Sequence, residues 1–196
     1  MIVSSRIQGN ENEKKSIRQH KMAYDLLHRT LEHFYHLTAE ECEVEKKDNG
    51  KPYLCKHPDI HISISHCENM VAVSAGAFEQ GVDIERVRPY KDSILKRVLS
   101  EKEMDYFMKH GKNPYYFFRF WTLKESFVKT TGEGIRRPLT EIEFQFDEQK
   151  VFSNQDNFNF CNCCILNDFV LAYCEDGPMT DAPVLYQYEN HSFIKL

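Results

Sequence analysis

The first part of the chain carries hydrophobic residues at the spacing of an amphipathic helix. Between residues 13 and 37 the apolar positions follow one another at intervals of three, four and seven, with polar residues between them. Side chains three or four positions apart share one face of a helix, so this stretch predicts one long helix with a single buried face. The apolar face comprises Ile17, Tyr24, Leu27, Leu31 and Phe34.

The pattern then changes from helical spacing to alternation. Residues 60–65 alternate isoleucine with histidine or serine, which predicts a half-buried strand. Residues 70–75 and 81–85 predict two further strands, and a short edge strand near Val44 ends at the turn of residues 48–50. The connections between the three longer strands are too short for a helical crossover, so we expect these strands to pair antiparallel.

The second half repeats the order of helices followed by strands. A short helix is predicted at residues 94–99, and the capping box from Ser100 to Glu103 predicts the start of another. A longer helix begins at Pro114 and is expected to end before Gly132. Apolar residues then alternate in one strand at Ile142, Phe144 and Phe146, and a hairpin is expected to turn at Asn167-Asp168.

The recurrence of this order assigns the chain to the α+β class and hints at a duplicated architecture. Each half is a long helix followed by a small antiparallel sheet. The boundary is placed where the second half begins at Pro89, which gives subdomains of residues 1–88 and 89–196 packed as one unit.

Composition describes an ordinary globular protein and argues against several functional classes. The 196 residues are 41% hydrophobic and 28% charged, and the net charge of -5 argues against a general nucleic-acid binder. No apolar run approaches the length of a membrane span, and the N-terminus lacks the apolar segment of a secretory signal. The seven cysteines are an odd number without an export signal, so reduced thiols in a cytoplasmic protein are expected.

Two short motifs place acidic and basic side chains at spacings that bring them onto one face. Asp83 and Glu85 are two positions apart, so their carboxylates leave the same face of a strand. Glu125 and Lys129 are four positions apart, so they share one face of a helix. If the two motifs meet, they form a site for a hard cation with a lysine beside it, a pattern typical of phosphate chemistry.

Each motif also has a plainer interpretation that its spacing leaves open. Asp83 and Glu85 could form a solvated strand end, and a glutamate four residues before a lysine is a common surface pair contributing about 0.2–0.5 kcal/mol. Trp121 and Val128 place apolar groups beside Glu125 on the predicted helix. A carboxylate on a partly apolar face favours a partner such as a metal ion.

Several other polar residues are candidates for contacts with an anion. Ser65 and His66 end the alternating strand, where side chains can leave a sheet and meet a ligand, and Lys51 lies in a Gly-Lys-Pro turn. The first helix adds cationic or protonatable groups, for which a solvated polar face is the alternative interpretation unless the ligand carries several phosphates. These groups are Arg18, His20 and Lys21.

The ordered motifs resemble the signature of a known family. Residues 81–85 (Gly-Val-Asp-Ile-Glu) and 120–129 (Phe-Trp-Thr-Leu-Lys-Glu-Ser-Phe-Val-Lys) resemble the paired acidic motifs of the Sfp-type 4′-phosphopantetheinyl transferases. Residues 63–66 look like that family's Ile-Ser-His element, and residues 50–52 look like its Gly-Lys-Pro turn. The four elements follow in order, and the resemblance extends over most of the chain.

The resemblance implies transfer of the phosphopantetheine group of coenzyme A to a serine hydroxyl of an apo acyl or peptidyl carrier protein, with release of 3′,5′-ADP. Asp83, Glu85 and Glu125 match the acids that hold Mg²⁺ against the coenzyme A diphosphate. Glu125 also matches the residue that takes the serine proton, directly or through a metal-bound water. Lys129 matches the lysine that neutralises the leaving phosphate.

The resemblance also implies contacts with coenzyme A and an architecture. Ser65 and His66 match contacts to the ribose 3′-phosphate, and Lys51 falls near the nucleotide. The family's arginine on the first helix falls at His20, with other cations beside it. The family fold is a pseudo-dimer of two similar α+β subdomains with the active site between them, and such a chain can act as a monomer. The neighbouring first-helix candidates are Arg18 and Lys21.

Two other classes of function stay open at this point. One is a catalytically silent module that binds coenzyme A or a carrier protein, and the other is an unrelated Mg²⁺-dependent phosphotransfer enzyme. The resemblance covers carrier proteins of fatty-acid, polyketide and nonribosomal peptide synthesis alike. The chain begins closer to the first helix than is usual in the family, so we expect either a short substitute for the usual N-terminal strand or a more open nucleotide pocket.

Overall fold

The structure of the protein is a computed structural model that describes residues 1–7, 13–147, 150–166, 168–177 and 183–196. Within these residues the fold is mixed α+β, with four α-helices and several small sheets. The helices are α1 (Lys15–Tyr35), α2 (Asp92–Val98), α3 (Glu101–Lys109) and α4 (Pro114–Thr131), and two short 3₁₀ helices follow α4 (Gly134–Arg136 and Leu139–Glu141). The strands are β1 (Ile2–Arg6), β2 (Val44–Lys46), β3 (Pro52–Leu54), β4 (His61–Cys67), β5 (Met70–Gly76), β6 (Gln80–Arg86), β7 (Phe144–Asp147), β8 (Lys150–Ser153), β9 (Phe158–Ile165), β10 (Phe169–Asp176), β11 (Leu185–Glu189) and β12 (Ser192–Lys195).

A five-stranded sheet of order β12-β11-β1-β5-β4 forms one layer, and α1 packs against it. The predicted amphipathic helix is confirmed as α1. Its buried Leu27 and Leu31 contribute to one core cluster with Val71 and Val73 of β5. The hydrophobic pattern did not predict β1, β11 or β12. Strand β11 pairs parallel to β1, and β12 pairs antiparallel to β11.

A second sheet of order β6-β10-β9 packs against α4. The expected antiparallel pairing is confirmed for β4 with β5 but is wrong for β6, which pairs along its whole length with β10. One physical reason lies at Gly81. A side chain at Gly81 would come within 2.7 Å of Thr130 Oγ1 and closer still to the carbonyl oxygen of Ser126. The glycine therefore allows β6 to lie against α4, at the edge of the second sheet.

The two sheets exchange strands across the predicted subdomain boundary. Strand β6 lies within residues 1–88 but pairs with β10 of the second half, whereas β11 and β12 lie within residues 89–196 and extend the first sheet. The two halves are therefore joined by strand pairing as well as by side-chain packing.

The predicted helix ends are confirmed by their capping contacts. Ser100 caps α3, because its backbone N–H donates to Glu103 Oε2 at 2.8 Å and its hydroxyl accepts from the Glu103 N–H at 3.4 Å. Asn113 accepts a hydrogen bond at the start of α4, and Gly132 ends that helix with φ of 71°. The predicted hairpin is formed by β9 and β10, and Asn167 of its predicted turn lies outside the described residues.

Two expectations drawn from composition meet direct observations. Within the described ranges, none of the helices combines the length and the apolar character that crossing a membrane requires. All seven cysteines are free thiols. Burial raises the pKa of the Cys161 thiol to about 12, which favours the protonated form of a structural thiol.

Candidate active site

The carboxylate of Asp83 lies where β4, β6 and α4 meet. Its Oδ1 atom accepts hydrogen bonds from Ser65 Oγ at 2.8 Å and from Lys129 Nζ at 2.8 Å. Lys129 Nζ also donates to the backbone oxygen of Val82 at 3.0 Å. Asp83 Oδ2 is buried and has no hydrogen-bond partner among the described residues. One oxygen of this carboxylate is thus doubly engaged, and the other is left for a ligand.

Glu85 and Glu125 surround Asp83 with further negative charge. Burial raises the pKa of Glu125, and repulsion from Asp83 and Glu85 adds to this effect, while Lys129 opposes it. Burial also raises the pKa of Glu85, although Arg88 Nη1 donates to Glu85 Oε2 at 2.7 Å and counteracts the rise. Such an arrangement of partly buried acids is unfavourable when all are ionised, and a bound cation would relieve it.

These acids fit a hard divalent cation by donor type and by the unpartnered Asp83 Oδ2. Across the described part of the chain, no three His, Cys, Asp or Glu side chains form a group that would hold a metal ion by themselves. Lys129 engages Asp83, and Arg88 engages Glu85. Mg²⁺ is commonly held by one or two carboxylates together with waters and substrate phosphates. A partial set of protein ligands is therefore compatible with that ion.

A cavity of about 720 Å³ opens between the first and second halves. The predicted residues Glu125, Lys129 and Lys51 line it, but Ser65, His66 and Asp83 are not among its described lining residues. The wall also carries cations that sequence reasoning did not single out. These are Lys96, Arg97 and Arg137.

The Lys51 ammonium joins the Gly-Lys-Pro turn to the end of α4. Lys51 Nζ donates to the backbone oxygen of Thr130 at 2.6 Å and forms an ion pair with Glu79. Burial lowers the pKa of Lys51, and Glu79 counteracts the shift. Lys51 therefore reaches the cavity wall, as its predicted place near a nucleotide requires, but its ammonium is already bonded to protein atoms.

The remaining candidates lie beside the Asp83 cluster. His66 is exposed, yet partial desolvation of its ring and the nearby Lys129 lower its pKa, and His20 adds to the effect. His20 on α1 is thus close enough to His66 on β4 to influence it electrostatically. Arg18 and Lys21 lie on the same helix, Arg18 half-buried and Lys21 exposed.

Ser63 is a residue that sequence reasoning placed in a motif but gave no role. Its hydroxyl accepts a hydrogen bond from the Val82 N–H at 3.1 Å, and the Ser65 hydroxyl accepts one from the Ile84 N–H at 3.3 Å. The two-residue spacing of Ser63 and Ser65 was a usable signal, because it places both on one face of β4. The face on which they lie is covered by β6.

The fold and this cluster define an α+β chain with an acidic and lysine-bearing site at a cavity wall. A family model described as the 4′-phosphopantetheinyl transferase superfamily matches residues 79–174, which contain Asp83, Glu85, Glu125 and Lys129. This match confirms the resemblance of the motifs to the superfamily.

Individual relatives are similar over part of the chain. A 4′-phosphopantetheinyl transferase of Bacillus subtilis is 37% identical over 104 residues, which cover 52% of this chain and 46% of the relative. The 4′-phosphopantetheinyl transferase Sfp of Bacillus subtilis strain 168 is 31% identical over 58% of this chain and 52% of its own. A holo-[acyl-carrier-protein] synthase structure from Thermotoga maritima is similar with a TM-score of 0.45 and 18% identity, over 58% of this chain and 70% of that one. The chain thus spans about half the length of these Bacillus relatives.

Proposed function

We propose that this protein transfers the 4′-phosphopantetheine group of coenzyme A to a serine hydroxyl of an apo acyl or peptidyl carrier protein. The observation that carries the proposal is the Asp83 carboxylate, held by Lys129 on one oxygen and unpartnered on the other, with Glu125 next to it at the cavity wall. Similarity to the superfamily supports this reaction class, and the names of the Bacillus relatives agree with it.

The proposed reaction forms one oxygen–phosphorus bond and breaks another. The serine oxygen attacks the phosphorus atom that carries the pantetheine arm, and 3′,5′-ADP leaves. Glu125 accepts the serine proton, because no described side chain donates a hydrogen bond to its carboxylate. Lys129 donates two N–H groups to protein oxygens, and its third can reach a phosphate oxygen and stabilise charge on the leaving group.

A magnesium ion completes this proposal. Asp83, Glu85 and Glu125 would hold Mg²⁺, and the bound ion would neutralise charge on the diphosphate. The unpartnered Asp83 Oδ2 and the raised pKa values of both glutamates support this assignment, since each is relieved by a cation.

The rest of coenzyme A is assigned to groups at the cavity wall and beside the Asp83 cluster. His66 and His20 are proposed for the 3′-phosphate, with Lys51 near the nucleotide, and the motif resemblance implies a contact for Ser65 that its hydrogen bond to Asp83 opposes. Arg18 and Lys21 on α1 supply further positive charge. The lowered pKa of His66, caused partly by neighbouring positive groups, supports a place where an anion is favoured.

The architecture is proposed to be a pseudo-dimer acting as a monomer. One subdomain would centre on α1 and the five-stranded sheet, and the other on α4 and the three-stranded sheet. The cavity between Lys51 of the first and Glu125 of the second supports this division. The boundary is proposed between residues 88 and 89 of the chain, with β6 exchanged into the second sheet and β11 and β12 into the first.

The proposal is tested by incubating the protein with coenzyme A, Mg²⁺ and a panel of apo acyl and peptidyl carrier proteins. We expect the phosphopantetheine mass to appear on the carrier serine, with release of 3′,5′-ADP. The Glu125→Gln variant is the matched control and should lose roughly 100-fold or more in rate, since general bases contribute about that much.

The alternative classes give different results in the same experiment. Protection by coenzyme A in a thermal-shift assay without a mass gain on any carrier would contradict the transfer and indicate a silent binding module. Protection by ATP but not by coenzyme A would instead indicate an unrelated phosphotransfer enzyme.

A further inference from the structure

Two serine side chains of β4 accept hydrogen bonds from the backbone of β6, in the place of the backbone-to-backbone hydrogen bonds that join paired strands. The hydroxyls of Ser63 and Ser65 accept the N–H groups of Val82 and Ile84, which lie on the edge of β6 that faces away from β10. Both serines are buried, with 4% and 5% of their surface exposed. They therefore perform the same task for the backbone of β6 and differ in what else they contact.

Ser65 has a second contact, which uses up its only donor. A serine hydroxyl has one O–H group, and that of Ser65 is directed to Asp83 Oδ1 at 2.8 Å. Ser65 could donate to a phosphate oxygen only by releasing Asp83. This geometry conflicts with the phosphate contact that the motif resemblance implies for Ser65.

The effect of the contact is to fix the orientation of the Asp83 carboxylate. Ser65 and Lys129 both donate to Oδ1, from β4 and from α4, while Oδ2 stays buried and unpartnered among the described residues. A buried acceptor without a partner is unfavourable by about 1–3 kcal/mol. The two hydrogen bonds to Oδ1 thus hold the carboxylate so that the unpartnered Oδ2 has one fixed orientation.

We propose that Ser65 is a positioning residue that holds Asp83 so that Oδ2 is presented to a divalent cation, and that it is not a contact for the 3′-phosphate. This inference rests on two parts of the proposed function, namely that the acidic cluster binds a divalent cation and that the protein binds coenzyme A. Groups that orient a metal ligand commonly change metal affinity 10- to 100-fold when they are removed.

Ser65→Ala and Ser63→Ala form a matched pair for the test. Each removes one buried hydroxyl that accepts from β6, but only Ser65→Ala removes a hydrogen bond to Asp83. The first measurement is Mn²⁺ affinity, from the electron paramagnetic resonance signal of the free ion. The second is the ratio of affinities for coenzyme A and dephospho-coenzyme A without metal.

We expect Ser65→Ala to weaken Mn²⁺ binding roughly ten-fold relative to Ser63→Ala, with the coenzyme A to dephospho-coenzyme A ratio unchanged from wild type. Equal Mn²⁺ affinities for the two variants, or a loss of that ratio in Ser65→Ala, would overturn the inference. If Ser65→Ala does not fold, Ser65→Cys replaces it, because a thiol keeps the size but is a weaker donor. The Mn²⁺ affinity and the coenzyme A to dephospho-coenzyme A ratio of Ser65→Cys then test the inference in the same way.

The control on wild type separates the two proposals. Wild-type protein that binds neither Mn²⁺ nor coenzyme A contradicts the proposed function and with it this inference. Wild-type protein that binds both, with Ser65→Ala equal to Ser63→Ala, contradicts the role of Ser65 alone.

Discussion

Lys124 and Lys129 stand five residues apart on α4, in one motif, yet their ammonium groups have opposite surroundings. The Lys124 side chain is fully buried and donates to Val98 O at 2.6 Å, to Leu139 O at 3.0 Å and to Glu103. All three of its N–H groups are thus used within the protein. The Lys129 side chain is 29% exposed and donates to two protein oxygens, so one N–H group is left for a ligand.

The acidic partners of the two lysines also differ in how completely their oxygens are hydrogen-bonded. Glu103 is completely engaged, because its oxygens also accept from the Ser100 and Phe144 N–H groups. Asp83 keeps one oxygen without a partner. A satisfied buried pair connects α2, α3, α4 and β7, whereas an unsatisfied pair at a cavity has capacity to bind. Saturation of hydrogen bonds therefore distinguishes a structural ion pair from one proposed to act on a ligand.

The largest expected effect is on stability, from Lys124→Met. The substitution leaves the Glu103 carboxylate buried without its cation, and breaking a buried pair in this way costs about 3–5 kcal/mol. Urea denaturation measures the loss, with Lys129→Met as the matched control in the same helix. We expect the control to lose less, because Lys129 is 29% exposed and only Asp83 of its pair is buried, whereas both members of the Lys124 pair are buried. Equal losses would show that the contrast between the two lysines does not reflect their energetics.

The second effect separates the lysines by activity. Lys129→Met should slow carrier-protein modification by roughly 100-fold, the typical consequence of losing one donor to a developing charge. Its urea midpoint should fall less than that of Lys124→Met. The measurement is the rate of phosphopantetheine transfer at saturating coenzyme A, with Lys129→Arg as a variant that keeps the charge. A wild-type rate in Lys129→Met would remove Lys129 from the reaction.

The contrast between the lysines was only partly predictable from the sequence. Glu125 and Lys129 were identified by spacing and family resemblance, but Lys124 was passed over as part of the motif. A signal existed, because Lys124 shares a helix face with Phe120, Phe127 and Val128, all of which are buried. Its partner could not be predicted, since Glu103 was assigned only to a helix cap and lies 21 residues away.

The fold shows the same limit of local patterns. Periodicity predicted α1, α4 and the β9–β10 hairpin, because each depends on residues close in the chain. The pairing of β6 with β10 depends on residues far apart, such as Asp83 opposite Ala172, and no local pattern contains it. This pairing places β6 against the serines of β4. The sequence therefore predicted the members of the acidic cluster but not the contacts of Ser65.

A smaller expected effect is the dependence of stability on pH that the acids of the cluster cause. Burial and the repulsion from Asp83 raise the pKa of Glu125 above 4.5, so the folded state keeps this proton to a higher pH than the unfolded chain does. The corresponding stability is present below pH 4.5 and is lost as pH rises through the raised pKa. Glu125→Gln should remove this loss and be more stable than wild type at neutral pH, as measured by urea denaturation. A less stable variant would contradict the electrostatic account of the cluster.

The smallest expected effect tests the phosphate side of the cluster. In the free protein, partial desolvation and Lys129 lower the pKa of His66 below 6.5. A 3′-phosphate beside the ring would raise it, so binding would take up a proton and affinity would increase as pH falls through this range. Because the ring is exposed, we expect a gain of only about three- to five-fold. Isothermal titration calorimetry in buffers of different ionisation enthalpy measures both the affinity and the proton uptake.

Two comparisons assign this pH dependence to His66 and to the 3′-phosphate. His66→Ala should bind coenzyme A with no proton uptake in this range, and dephospho-coenzyme A should show none with wild type. His20→Ala is the matched variant on α1, and it separates a direct contact from the influence of a neighbouring charge. Proton uptake that persists in His66→Ala but disappears in His20→Ala would move the phosphate from β4 to α1.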